Sequence, residues 1–326
     1  MQEPDPVKAL VKKVGRGKTL ARDLTREEAH EALERLLRGE FTPAQTGAFL
    51  QAMRIKETCV EELVGAAGGA ASFCKAGFPQ QPPSSAHPLV VNLAFDTARK
   101  GGVLSLAALA HLKSLGLVQP LVIWEPATLF QGPGAMDRTL QAVKAHPRLA
   151  AALPVMVTVR ELCPPWETLS AIRKELGFRS ILNTVEKLLR PWATAPVVVG
   201  ISHDTFSERL CRVVFALGSP RGAVVRGHHG TCDLGFGEKP TEYNVWEGAE
   251  VRETSVASHT FGEGLQSSPL LLSSLDSWEA WMADETSALW SLVRAQAAFF
   301  HSLATGGPLT ESVTLLCPPS KDKHHA

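Results

Sequence analysis

"HPLVVNLAFDTARKGGVLSLAALAHLKSLGL", residues 87–117, carries the pattern that decides the fold. An apolar, partly β-branched run opens the stretch, a charged loop follows, and an apolar run of helical length closes it. This order predicts a strand, a loop and a helix, the repeating unit of a parallel sheet. Many phosphate-handling α/β folds place a glycine-rich loop at this point, whereas this loop carries Arg99 and Lys100 at its middle. The loop is therefore either a rebuilt anion site or a site that has lost its chemistry.

The chain beyond this stretch repeats the same alternation. Four more short apolar runs, "PLVIW", "PVMVTV", "APVVVGI" and "GAVVRG", alternate with helical stretches. Apolar strands between helices favour a mostly parallel sheet that is covered on both faces. Residues 241–256 add a strand, a turn and a second strand. We therefore predict an α/β domain over residues 89–316, followed by a disordered tail at residues 317–326.

The region before this domain predicts helices alone. One helix begins after the N-cap residue Thr25, and another begins after Thr42 with Pro43 in its first turn. A third helix, "CVEELVGAAGGAASF", is expected to be weakened by its glycines. We predict a small all-helical N-terminal domain at residues 1–75. The Pro-, Gly- and Ser-rich residues 76–88 are predicted to be a linker.

Composition limits the classes of protein to consider. The 326 residues include 33 Lys and Arg and 33 Asp and Glu, so the net charge is close to zero. This balance argues against a uniformly basic nucleic-acid binder but permits a local basic patch. The six cysteines form no CxxC pair and the N-terminus is polar, which favours reduced thiols in a cytoplasmic protein. No apolar run reaches the ~20 residues of a membrane span, so we expect no membrane association.

Several stretches resemble one family. "GEFTPAQTGAFLQAMRIK" and the following "EEL" resemble the N-terminal domain shared by anthranilate phosphoribosyltransferases and pyrimidine nucleoside phosphorylases. "ELGFRSILNTVEKLLRPW" and "RGAVVRGHHGTCDL" extend the resemblance, which covers roughly residues 7–250. It implies a small helical domain, a hinge and a larger α/β domain, with homodimers formed through the helical domain.

The family's phosphate and metal motifs are altered in this chain. The diphosphate loop, Gly-Thr-Gly-Gly-Asp-Gly, corresponds to "AFDTARKGG", and the next loop, Lys-His-Gly-Asn-Arg, corresponds to "WEPATLFQG" with Glu125 adding a charge that would repel phosphate. The acidic pair that holds magnesium corresponds to Cys232 and Asp233. Mg²⁺ normally needs carboxylates and phosphate oxygens together. We therefore expect no metal site and no cofactor, with Mg²⁺ required only if transferase activity is retained.

"VKKVGRGKTLARDL", residues 11–24, contains five cations before its first acid. It resembles the opening of a paralogous branch of the family, which keeps the fold, lacks the usual substrate motifs and includes nucleic-acid-binding dimers. The candidate contacts to nucleic acid or phosphate are Lys12, Lys13, Arg16, Lys18, Arg99 and Lys100. The alternative for the first four is a solvated helix face with a flexible turn, and for Arg99 a local ion pair with Asp96.

A second set of residues is predicted to line the interdomain cleft. Its members are Thr97, Arg179, Asn183, Lys187, His228 and His229. Arg179 and Asn183 match positions of the family, which uses the first of them near the aromatic acceptor; the alternative is a helix cap or a structural ion pair. The adjacent histidines point in different directions, which argues against joint metal binding. No catalytic residue can be assigned, because no nucleophile–His–acid triad has a local signature here.

These observations favour a homodimer that keeps the anthranilate phosphoribosyltransferase fold and binds DNA or RNA through its phosphates, rather than transferring phosphoribose to anthranilate. The alternative is an enzyme, a glycosyl- or phosphoribosyltransferase with a different donor or acceptor. A third hypothesis is a binding protein for a small phosphorylated ligand in the cleft.

Overall fold

The fold comes from a computed structural model. It describes residues 5–17, 19–74, 86–93, 101–125, 135–144, 147–227, 230–237, 239–262, 265 and 287–317.

The described residues of the first 74 positions form helices and no strand. The helices are α1 (Pro6–Val14), α2 (Arg26–Leu37), α3 (Pro43–Lys56) and α4 (Val60–Ala71). The predicted caps are present: the Thr25 hydroxyl accepts from the backbone N–H of Glu28, whose carboxylate accepts from the backbone N–H of Thr25. Thr42 and Gln45 form the same reciprocal pair at α3. Each capping box satisfies two amides that the helix itself leaves unpaired.

The glycines of α4 have a packing role that their low helix propensity does not reveal. A Cβ at Gly65 would lie 2.1 Å from the carbonyl oxygen of Arg26, and one at Gly69 would lie 2.4 Å from that of His30. Both carbonyls belong to α2, so the glycines let the two helices approach closely. Tertiary packing therefore outweighs the propensity cost, and α4 is continuous over its twelve residues.

A seven-stranded sheet follows. Its strands are β1 (His87–Leu93), β2 (Val118–Trp124), β3 (Val155–Thr158), β4 (Val197–Gly200), β5 (Arg221–Val225), β6 (Thr241–Glu247) and β7 (Glu250–Val256). Their order is β3-β2-β1-β4-β5-β6-β7; the first five are parallel, and β6 and β7 pair antiparallel. The predicted fold class, a small helical domain and a larger α/β domain with a mostly parallel sheet, is confirmed.

Helices cover both faces of this sheet. They are α5 (Val103–Ser114), α6 (Ala135–Lys144), α7 (Pro147–Ala152), α8 (Val159–Leu162), α9 (Trp166–Leu176), α10 (Ile181–Val185), α11 (Ser207–Ala216), α12 (Ala288–Thr305) and α13 (Leu309–Leu316). Alternate residues of β1 enter different cores: Leu89 and Val91 pack with α5 and α12, whereas Val90 belongs to a core that includes α2, α3 and α4. The helical region and one sheet face thus share a single hydrophobic core.

The predicted domain boundaries stay a prediction. Residues 76–85 of the proposed linker lie outside the described residues, whereas His87 and Pro88 begin β1. Of the proposed tail, only Cys317 is described. No helix among the described residues is long and apolar enough to cross a membrane.

Candidate functional site

The strand order places a cleft at one edge of the sheet. Because β1 lies between β2 and β4, the connections leaving β1 and β4 run to opposite sides, and ligands of such sheets bind at the carboxyl ends of these strands. A cleft of about 470 Å³ opens there. The end of α3, the start of α10 with the turn that follows it, and the residues after β4 line this cleft.

Three of the predicted cleft residues, Arg179, Asn183 and Lys187, line this cleft. The Lys187 ammonium donates to the carbonyl oxygen of Gly200 at 2.8 Å, which holds the cation at the end of β4. Asn183 caps α10, since its side-chain oxygen accepts from the backbone N–H of Ser180 at 2.9 Å. Arg179 is exposed. For Asn183, the sequence left open a helix cap or a role in ligand binding, and the structure shows the cap. The ligand-binding roles of Arg179, Asn183 and Lys187 stay predictions.

The cleft also contains residues that the sequence did not single out. Ser202 and His203 follow β4, and the rule that parallel strands present functional residues at their carboxyl ends could have found them. Arg54 and Glu57 come from α3 and its end, and no local pattern connects them with a cleft that forms far along the chain. The Arg54 guanidinium lies over the ring of Phe178, 5.4 Å from its centroid.

A buried ion pair supports the floor of the cleft. The Arg173 guanidinium contacts the Glu186 carboxylate at 2.6 and 3.4 Å, and both side chains are 2% exposed. The Asn92 side chain, on β1, donates to the Glu186 carbonyl oxygen at 3.2 Å. Glu186 thus has its ion-pair partner thirteen residues earlier in the chain.

The N-terminus of α5 holds a carboxylate of the protein itself. Asp233 accepts from the backbone N–H groups of Gly102 and Ser105, at 2.5 and 2.8 Å, and from the Ser105 hydroxyl at 2.6 Å. Gly102 has a φ of +89°, a conformation that glycine adopts without strain. Helix N-termini attract anions because their first amides lack intrahelical partners. Here the attracted anion is Asp233.

The residues at the family's magnesium position do not fit Mg²⁺. Asp233 is buried and directed at α5, and burial raises the pKa of the neighbouring Cys232, which keeps that thiol neutral. Mg²⁺ prefers hard oxygen ligands in an octahedral arrangement. One engaged carboxylate beside a neutral thiol does not supply them.

A second group of possible metal ligands already surrounds a cation. Asp23, Cys59 and Glu62 lie within 4.8 Å of one another, but the Lys56 ammonium contacts Asp23 at 2.6 Å and Glu62 at 2.7 Å. Burial disfavours the charged ammonium, but these two hydrogen bonds outweigh it and raise the pKa of Lys56. A protein cation occupies the position a metal would take.

Glu125 follows β2 and is 8% exposed. The Nε atom of Arg160 lies 2.5 Å from one of its carboxylate oxygens, and the other oxygen has no hydrogen-bond partner among the described residues. Burial raises the pKa of Glu125, although Arg160 opposes the shift. The repulsion of phosphate expected from Glu125 is therefore reduced, because its charge is paired.

The basic stretch at residues 11–24 begins in the last turn of α1 and continues into the turn beyond it. Lys12 and Arg16 are exposed, and neither has an ion-pair partner among the described residues. Lys13 differs, because its ammonium lies 2.5 Å from the Glu28 carboxylate. Lys12 and Lys13 also lie in the last turn of α1, where cations stabilise the helix dipole. Part of the predicted cluster thus has a structural role.

The remaining predicted site residues lie outside the described residues. They are Lys18, Thr97, Arg99, Lys100, His228 and His229. The structure therefore does not test whether the loop after β1 and the end of α1 belong to one surface.

Comparisons with known proteins agree with this architecture. A family model described as "Glycosyl transferase family, helical bundle domain" matches residues 8–74. An uncharacterized protein of Aquifex aeolicus is 30% identical over 227 residues, which span 69% of this chain and 70% of that protein. The uncharacterized protein YbiB of Escherichia coli is 29% identical over 230 residues, or 68% and 70% of the two chains. The anthranilate phosphoribosyltransferase of Methylobacterium nodulans is 27% identical over 270 residues, or 80% and 76%.

Solved structures show the same fold. Anthranilate phosphoribosyltransferase from Saccharomyces cerevisiae, in complex with PRPP and Mg, aligns with a TM-score of 0.71 at 17% identity, over 95% of this chain and 92% of that one. The enzyme from Thermus thermophilus aligns with a TM-score of 0.69 at 20% identity, over 96% and 93%. At identities of 17% and 20%, these alignments establish a shared fold alone.

Proposed function

We propose a function from one premise: this chain belongs to the anthranilate phosphoribosyltransferase-like proteins of glycosyltransferase family 3. The proposed function is binding of DNA or RNA by a homodimer, with contacts mainly to phosphate and little dependence on sequence. Transfer of phosphoribose to anthranilate is not its proposed activity.

The observation that carries this proposal is the exposure of Lys12 and Arg16 at the end of α1. Neither cation has an acidic partner among the described residues, so both are available to a polyanion. Many other cations of the chain are neutralised by nearby acids, such as Arg35 by Glu31 and Glu40. This uneven pairing supports a local basic patch in a chain with no net charge.

The contacts at α5 support the second half of the proposal. A backbone cradle for a diphosphate needs free amides, and the N-terminal amides of α5 donate instead to Asp233. Cys232 and Asp233 also do not supply the oxygen ligands that Mg²⁺ needs. Both features support a role other than transfer from a diphosphate donor.

A homodimer adds to the electrostatic argument. Two copies related by a two-fold axis place two basic patches on one assembly and double the number of phosphate contacts. We propose that the helical region forms this dimer, as the family resemblance implies.

Binding of a fluorescent single-stranded oligonucleotide across a salt series tests the proposal. With roughly six to ten phosphate contacts, affinity falls about 10³- to 10⁵-fold between about 50 and 200 mM salt. The variant Lys12→Glu/Arg16→Glu should weaken binding and flatten this salt dependence. The matched control, Lys174→Glu/Arg252→Glu, reverses two exposed cations elsewhere and changes the net charge by the same amount. Equal losses in both variants, or binding insensitive to salt, would contradict the proposal.

The cleft favours a second candidate, a transferase with a different donor or acceptor. Arg54, Arg179 and Lys187 bring three cations to its lining, which also suits a small phosphorylated ligand. Release of diphosphate from phosphoribosyl diphosphate, in the presence of Mg²⁺ and a panel of aromatic acceptors, would support this candidate. Release that persists in an Arg179→Ala/Lys187→Ala variant would point to a contaminating enzyme.

A further inference from the structure

Two cysteine thiols meet where the helical region adjoins the α/β region. Cys74 follows α4, and Cys163 lies between α8 and α9. Both sulfur atoms are hydrogen-bonded to the carbonyl oxygen of Ala70, at 3.7 Å for Cys74 and 3.8 Å for Cys163. Because both sulfurs contact the same carbonyl oxygen, the two thiols are neighbours. Residues 89 positions apart in the chain thus place their sulfurs side by side.

The contact between the two thiols affects how the pair ionises. One thiol can stabilise the thiolate of the other, whereas burial disfavours the charged form of both. The thiolate is the reactive form of cysteine, so a neighbouring thiol favours reaction at this pair.

Access to the pair is one-sided. Cys163 is completely buried, whereas Cys74 is half-buried and lies at the surface end of α4. An oxidant therefore meets Cys74 first, and a protein-sized thiol or disulfide cannot reach Cys163. This geometry favours hydroperoxides over disulfide exchange as the oxidising reaction.

The other four cysteines lack this arrangement. Burial raises the pKa of all four, which are Cys59, Cys211, Cys232 and Cys317. The pKa reaches about 12 for Cys211 and about 11 for Cys317. All six cysteines are among the described residues, and no hydrogen bond between thiols is found for these four. Selective reaction at one pair is therefore expected.

We propose that Cys74 and Cys163 are a redox modification site, at which a hydroperoxide forms a reversible disulfide that joins the helical region to the α/β region. The sulfur of Cys74, the more exposed of the two, attacks one peroxide oxygen, the O–O bond breaks, and a sulfenic acid and one water (or alcohol) form. The Cys163 sulfur then attacks the sulfenic sulfur, giving the S–S bond and a second water. Two thiols are oxidised by two electrons and the peroxide is reduced by two, so the reaction balances.

The bond would connect parts of the protein that both line the cleft. Arg54 comes from the helical side, and Arg179 and Lys187 come from the other side. A covalent link between α4 and the α8–α9 turn restrains movement of one side against the other. This inference goes beyond the proposed function and does not depend on it.

Hydrogen peroxide acting on the reduced full-length protein tests the inference. Titration with a thiol reagent under denaturing conditions should find two fewer free thiols out of six, and peptide mass spectrometry without reductant should identify a Cys74–Cys163 link. Dithiothreitol should restore both thiols. The oxidised protein should melt at a higher temperature than the reduced protein, because the cross-link restricts the unfolded chain.

Variants separate this outcome from general oxidation. Cys74→Ser should abolish the loss of two thiols and the shift in melting temperature, and it replaces a half-buried residue that tolerates a polar group better than Cys163 does. Cys59→Ser and Cys317→Ser, at half-buried positions, should leave both effects intact. A link between other cysteines, a disulfide between two chains, or direct formation of sulfinic acid at Cys74 would overturn the inference.

Discussion

Charged side chains are used in opposite ways at the cleft and at the end of α1. At the floor of the cleft and at the N-terminus of α5, Arg173, Glu186 and Asp233 are buried and each contacts a defined partner. At the end of α1, Lys12 and Arg16 project into solvent. Buried charges need matched partners, since an unpaired one is costly, whereas exposed charges interact weakly with the rest of the protein and remain available to others. The contrast separates charges that hold the fold from charges that can act on a ligand.

The largest effect is expected where a buried pair is broken. Glu186→Ala leaves the Arg173 guanidinium buried without its carboxylate and should lower the free energy of unfolding by about 3–5 kcal/mol. The measurement is urea denaturation. The matched control is Glu208→Ala, which removes the carboxylate from the exposed Arg212 pair and should cost less than about 1 kcal/mol. Equal costs for the two variants would remove the distinction between the regions.

A smaller loss is expected at the α5 N-terminus. Asp233→Ala removes the acceptor of three hydrogen bonds, and hydrogen bonds to charged groups contribute about 1.5–3 kcal/mol each, although water or an anion can replace some of them. We expect a loss of about 2–3 kcal/mol in urea denaturation. Added inorganic phosphate should recover part of this loss if the exposed amides form an anion site. A variant as stable as the parent would show that Asp233 does not hold α5.

The pH dependence of stability tests the pairing of Glu125. Burial raises its pKa in the folded protein, so the folded state holds this proton more tightly than the unfolded chain. Stability from this group is therefore full at low pH and is lost as the pH rises above the usual range of a glutamate. Glu125→Gln should reduce that loss, measured as the difference in unfolding free energy between about pH 4.5 and about pH 7. An unchanged pH profile would show that Arg160 compensates the burial completely.

The smallest effect on stability is expected at the end of α1. Lys12→Glu/Arg16→Glu removes a favourable contact with the helix dipole, which contributes about 0.5 kcal/mol. Any further change in the unfolding free energy should not exceed about 0.5 kcal/mol, because both side chains are exposed. Circular dichroism during thermal unfolding measures this change. A large loss would place these cations among the structural charges and would undermine their proposed availability to nucleic acid.

The fold was accessible from sequence because its signals are local. The caps at Thr25 and Thr42 and the apolar run of β1 each lie within a few residues, and they correspond to helix starts and a strand in the structure. The role of Gly65 was not accessible in this way, because it depends on the position of the Arg26 carbonyl on another helix. Propensity describes a segment alone, whereas close packing requires a partner.

The site was less accessible for the same reason. Arg179 and Asn183 could be placed through family positions, whereas the Arg173–Glu186 pair and the Asp233–Ser105 contact join residues that no motif connects. The partner of Cys74 is 89 positions away along the chain. Long-range contacts between charged or thiol side chains need the folded arrangement before they can be seen.

The core that the helical region shares with one sheet face has a consequence for biosynthesis. Helices α1–α4 leave the ribosome before any strand has been made, while Val90 and the other sheet residues of that core are still missing. The nascent helical region therefore exposes apolar surface until synthesis passes β6, whose Trp246 belongs to the same core. Chains of this length made in this order are candidates for chaperone binding during translation. Folding should be completed late, when the sheet arrives to cover the helices.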